Sequence, residues 1–116
     1  MTSNMNTPNY TLFLNLCKQY NLQVSHSIIN PDTLVSLQPN LAQNSYLLLY
    51  YPHSDRLNMA KEIHFIPWHN QIRYIDIQPF NQKKFEHLLN EYNKFALTLK
   101  KNLIQTKLDR INQDFI

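Results

Sequence analysis

Five histidines carry the side chains best suited to proton transfer near neutral pH: His26, His53, His64, His69 and His87. No two stand four residues apart, the spacing at which one helix face presents a metal-binding pair. His53-Ser54-Asp55 and the span from His64 to His69 flank expected strand ends. If those ends meet, His53, Asp55, His69 and Arg73 form a basic cluster able to cleave RNA without a metal, by general acid–base catalysis. Surface histidines without a role are the commoner case, so a small metal-independent ribonuclease ranks third among the readings. His26 is set apart by its neighbours. It falls on the apolar side of an alternating segment, among Leu22, Val24 and Ile28, which predicts a core histidine with a hydrogen-bond partner.

Other chemistry is excluded by what the chain lacks. Its 116 residues include no glycine, where about eight would be expected at average usage. Phosphate-cradling loops, the dinucleotide fingerprint, the EF-hand loop and the serine nucleophile elbow all need glycine, because their backbones approach a ligand or turn in ways a Cβ forbids. No nucleotide cofactor or other cofactor is expected. Function must come from side chains on helices and strand ends. Fifteen asparagines and three alanines point to AT-rich coding, as in some bacteria, phages and mobile elements. The same bias explains part of the missing glycine.

The single cysteine, Cys17, excludes an intramolecular disulfide and a cysteine-based zinc cluster, and it suits a reducing compartment. Residues 1–8 lack the basic and apolar regions of a signal peptide. The longest apolar run, residues 46–51, is far shorter than the ~20 residues that span a bilayer. A cytoplasmic protein without membrane contact is expected.

The elements that must position these side chains read as follows. Thr7 as N-cap and Pro8 at the first helical position start a helix. It buries Tyr10, Phe13, Leu14 and Cys17 on one face, and Asn21 ends it in the left-handed conformation usually left to glycine. Residues 22–29 alternate as a half-buried strand. Asn30-Pro31-Asp32 restarts a short helix through Leu37, which Pro39 breaks. Residues 46–51 suit a strand covered on both faces, and Ser54 caps a short turn around residues 57–60. Residues 61–68 and 71–77 form a hairpin around His69-Asn70, with Asn70 taking the positive φ. Asn81 caps a final long helix, with Phe80 and Phe85 placed as a hydrophobic staple. The order α-β-α-β-β-β-α predicts one α+β domain over residues 1–116, with residues 1–7 a flexible lead-in. A mostly antiparallel sheet of about four strands packs on the two terminal helices.

That last helix is the most informative segment. Phe85, Leu88, Leu89, Tyr92, Phe95, Ala96, Leu99 and Leu103 share one broad face that should cover the sheet. Leu97, Ile104, Leu108, Ile111 and Phe115 form a second stripe, rotated by roughly 130° from the first. A straight helix cannot aim both at one sheet. Either it breaks near Ile104, or the second stripe meets something else, such as the first helix or a second copy. Charge gathers here too. Residues 1–79 balance four basic against four acidic side chains, so the net +3 lies wholly in residues 80–116. Lys83, Lys94 and Lys101 lie near one line opposite the core stripe, and with Lys107 and Arg110 they could follow phosphates.

Among the aromatics clustered in the strand region, Trp68 and Tyr51 stand nearest strand ends and are the best candidates for contact with a partner. The expected function is a non-catalytic protein-binding module: a small regulator, adaptor or inhibitor, homodimeric through the C-terminal helix. The partner is another protein or a second copy. The alternative is a nucleic-acid-binding module using the basic helix.

Overall fold

Helix α1 (Pro8–Gln19) begins where Pro8 occupies the first turn without losing a hydrogen bond. It closes in a Schellman motif. Asn21, at φ 57°, donates to the Lys18 carbonyl, and the Leu22 N–H reaches the Cys17 carbonyl at 2.7 Å. The chain then runs through β1 (Gln23–His26), β2 (Leu34–Leu37), β3 (Leu48–Tyr51), β4 (Arg56–Ile66) and β5 (Gln71–Pro79), and ends in α2 (Gln82–Asp114). The computed structural model describes the backbone of residues 7–114 and the side chains of residues 7–101.

The five strands form one antiparallel sheet in the order β1-β2-β3-β4-β5, a simple meander. Both helices lie on one face of it: α1 packs on β3 and β4, and α2 on β4 and β5. Tyr20 of α1 meets Phe85 of α2 edge to face, with ring centroids 5.1 Å apart. The core lies between the helices and the sheet. Its fully buried side chains include Phe13, Leu47, Leu48, Tyr50, Met59, Ile72 and Phe85. The class is therefore α+β, in the order α-β-β-β-β-β-α.

Several local expectations are corrected. Asn30-Pro31-Asp32 forms a turn, closed by the Thr33 N–H on the Asn30 carbonyl at 2.9 Å, and no helix follows it. Leu34 and Val35 pair with strands on both sides, and that pairing outweighs a helix start signal three residues long. Strand β4 begins at Arg56, so Ser54 caps nothing and belongs to the β3–β4 turn. Strand β3 is not covered evenly on both faces: Leu48 and Tyr50 are buried, while Leu49 and Tyr51 are half-buried. Helix α2 is continuous past Ile104, so the break offered there as one alternative does not occur.

The largest correction concerns β1. Leu22 is buried, yet Val24 is 43% exposed, Ile28 is 74% exposed and His26 is exposed. Of the expected strand over residues 22–29 only Gln23–His26 forms, and its register puts Val24 and His26 on one face. Helix α1 packs mainly on β3 and β4, and these two side chains at the sheet's edge stay exposed. His26 is thus a surface histidine, its Nδ1 2.8 Å from the Pro31 carbonyl.

The absence of glycine is met by other residues. All six positive-φ residues among those described are Asn or Asp: Asn21, Asn40, Asn44, Asp55, Asn70 and Asp76. Their short polar side chains tolerate the left-handed region better than other residues with a Cβ.

Candidate functional site

The sheet separates the residues that a ribonuclease would need together. His53 lies in the turn before β4 and His69 in the 3₁₀ turn Pro67–His69 after it. Eleven extended residues stand between them, a separation of roughly 35 Å. Arg73 lies opposite His64 on the far half of the β4–β5 hairpin. The proposed cluster of His53, Asp55, His69 and Arg73 is therefore not assembled. His53 sits 3.4 Å from Asp32, and His64 3.2 Å from Glu62, both pairs exposed and so weakly coupled. No group of three potential metal ligands occurs among the described residues.

Asp55 has a structural task instead. The Tyr50 hydroxyl donates to its Oδ1 at 2.8 Å, and the Asn9 side-chain amide donates to its backbone carbonyl at 2.7 Å. Burial works to raise the Asp55 carboxyl. Hydrogen bonds from Tyr50, Thr7 and the N–H groups of Asn9 and Tyr10 outweigh it and hold the acid below the usual carboxylate range. The N–H groups of Asn9 and Tyr10 at the start of α1 thus look to a carboxylate 46 and 45 residues away, while Thr7 makes no side-chain cap of its own. Sequence reasoning assigned that cap to Thr7 and missed Asp55, because nothing local links the two.

Three other surfaces bear on the expected binding residues. A cleft of about 420 Å³ lies at the β3–β4 turn, lined by Asp32, Thr33, Tyr51, His53, Arg56 and Asn58. A second, of about 450 Å³, lies beside β1 and the β2–β3 loop, among Gln23, Ile28, Leu37, Pro39, Leu41 and Tyr46. The third surface is α2. Asn81 caps it, its Oδ1 accepting from the Lys84 N–H at 3.0 Å, and Phe80 packs against Phe85 with centroids 5.8 Å apart. Phe85, Leu88, Leu89, Tyr92 and Leu99 are buried, and Phe95 stacks on Phe65.

Of the expected interface residues, Leu97 is 54% exposed, Trp68 is 78% exposed at the β4–β5 hairpin tip, and Tyr51 is half-buried in the first cleft. Trp68 and Tyr51 lie at opposite ends of β4 and do not form one surface. Lys83, Lys94 and Lys101 are exposed. The side chains of Ile104, Leu108, Ile111, Phe115, Lys107 and Arg110 lie outside the described residues.

No family model matches the chain, and no curated protein or solved structure matches it. No helix among the described residues is long and apolar enough to cross a membrane.

Proposed function

We propose that the protein is a non-catalytic binding module that acts through protein–protein contact and self-associates through α2. The observation that carries this reading is the unbroken course of that helix. It runs over Gln82–Asp114, about 50 Å, whereas β4, the longest strand it packs on, spans about 36 Å. The helix is thus longer than the strands beneath it, and a helix end gains most of its stability from packing.

A second copy is the occupant that the sequence suits. Leu97, Ile104, Leu108, Ile111 and Phe115 recur at intervals of seven, four, three and four residues, the repeat of a coiled-coil seam. Lys101 takes the one seam position between Leu97 and Ile104 that is not apolar. A polar residue there sets the register of such a pair. The protein would serve as a regulator, adaptor or inhibitor in the cytoplasm of a bacterium, or be carried by a phage or mobile element. AT-rich coding and one unpaired cysteine support that setting.

Light scattering over a dilution series tests the reading. A dimer that Leu108→Glu converts to a monomer, with unchanged melting of the sheet domain, is the expected result. A dimer indifferent to the substitution removes the helix from the interface, and a monomer at every concentration removes self-association.

One observation favours nucleic acid as a second reading. Lys83, Lys94 and Lys101 are exposed, and no ion pair among the described residues includes a lysine. Binding to a duplex should then fall steeply with salt. It should also weaken in the double variant Lys94→Glu and Lys101→Glu.

A further inference from the structure

The two edges of the sheet are treated differently. The outer edge of β5 is covered at Ile72 and Tyr74. Leu41 bridges Ile72 in parallel, the Ile72 N–H donates to the Asn40 carbonyl at 2.8 Å, and the Ala42 N–H donates to the Ile72 carbonyl at 2.9 Å. One step further on, the Tyr74 N–H donates to the Ser45 hydroxyl at 2.6 Å. Among the described residues, the outer edge of β1 has no such cover, and β2 is its one neighbour in the sheet. Ser27 donates to the Thr33 carbonyl, which sets the alternation of the β1–β2 ladder. Ser25 and Gln23 therefore turn their peptide groups toward β2. Val24 and His26 turn theirs outward.

Natural edge strands are usually blunted by being very short or by a charge, a proline or a bulge. Strand β1 is four residues long, but it carries no proline, carboxylate, ammonium or guanidinium. No Asp, Glu, Lys or Arg occurs from residue 19 to residue 31. Beside β1, on the face that carries Gln23 and Leu37, opens the cleft of about 450 Å³. Its lining contains no carboxylate, ammonium, guanidinium or imidazole. Pro39, Leu41 and Tyr46 supply its far side from the β2–β3 loop.

We infer that the outer edge of β1 accepts an extended, uncharged segment of a partner protein as a sixth strand. The outward peptide groups of Val24 and His26 supply the main-chain hydrogen bonds. The cleft takes an apolar side chain from every second residue of the segment. In strand addition of this kind, main-chain bonds supply affinity and pockets for alternate side chains supply specificity. A second copy of β1 suits the edge less well. Paired antiparallel about Ser25, it would turn Gln23, Ser25 and Ser27 toward the cleft, all of them polar. The inference shares with the reading above only that the protein acts by binding protein, and it does not involve α2.

The test uses a phage-displayed library of random twelve-residue peptides, selected on the full-length protein. Recovered peptides should alternate apolar and uncharged polar residues. In NMR spectra the recovered peptide should shift the Val24 and His26 amides and slow their hydrogen exchange. Val24→Pro should weaken binding at least tenfold, because it removes an outward N–H that β2 does not use. The exchange measurement stands on the unaltered protein and needs no folded variant. No enrichment, a charged consensus, or protection confined to α2 overturns the proposal. So does a Val24→Pro protein that turns from dimer to monomer, which would assign the edge to a second copy. Leu108→Glu, which tests the helix, should leave peptide binding unchanged.

Discussion

The Tyr50 hydroxyl lies 2.8 Å from Oδ1 of Asp55, joining the buried end of β3 to the turn that follows it. Through that turn the Asp55 carboxylate faces the start of α1, so one pair ties the first helix to the sheet. Tyr50→Phe removes the donor without changing the ring packing on Tyr10 and Phe13. Denaturant unfolding should show a loss of stability relative to the parent, because the carboxylate loses a hydrogen-bond donor.

The same pair sets a pH dependence. The folded-state pKa of Asp55 is depressed. Its contribution is complete above the ordinary carboxylate value near 4 and is lost as pH falls through the lower folded value. Thermal melts taken between about pH 5 and pH 2 should therefore decline more steeply in the parent than in Asp55→Asn. Parallel declines would remove Asp55 from this role.

Cys17 should be silent to thiol reagents while the protein is folded. It is 2% exposed, and burial pushes its thiol up to about 11. Ellman's reagent at pH 8 should label it only as fast as the chain unfolds. Because the folded value is raised above 9.0, the neutral thiol stabilises the fold below that pH. The contribution disappears as pH rises through about 11. Cys17→Ala should remove that part of the alkaline loss.

Asn70 closes the β4–β5 hairpin at φ 52°. Asn70→Ala should cost about 1 kcal/mol, since a Cβ without a polar end has no compensation in the left-handed region. Asn70→Gly should fall within about 0.5 kcal/mol of the parent, measured by thermal melting of both variants side by side.

The two stripes of α2 should differ in what they hold together. Phe85 is fully buried, and Phe85→Ala should destabilise the fold by about 4 kcal/mol. Leu97, more than half exposed, should cost under about 0.5 kcal/mol as alanine in the monomer. A larger effect that grows with protein concentration would mark Leu97 as part of a self-associating face.

How far the fold was legible depended on the range of each signal. The caps at Pro8, Asn21 and Asn81 and the turn at Asn70 are local, so residue type alone revealed them. The short helix expected at residues 30–37 failed because a turn signal and a helix start share Asn-Pro-Asp. Only the pairing of Leu34 with Tyr50 and of Val35 with Leu49 decides between them. Alternation placed Val24 and His26 on one face, as the register does, but it overran the strand, and it states which side chains share a face and not whether anything covers it. His26 was misplaced for that reason.

By itself, the sequence determined the class of the fold, the sheet-facing stripe of α2, and the exclusion of glycine-dependent phosphate loops. Each rests on side-chain periodicity or on backbone freedom, which are properties of neighbouring residues. The tertiary structure alone decided that His53 and His69 stand at opposite ends of β4, that Asp55 serves the start of α1, and that one sheet edge is covered at Ile72 and Tyr74 while the other pairs, among the described residues, with β2 alone. Those facts depend on register and on which element lies over which. Both are set by contacts between residues far apart in the chain.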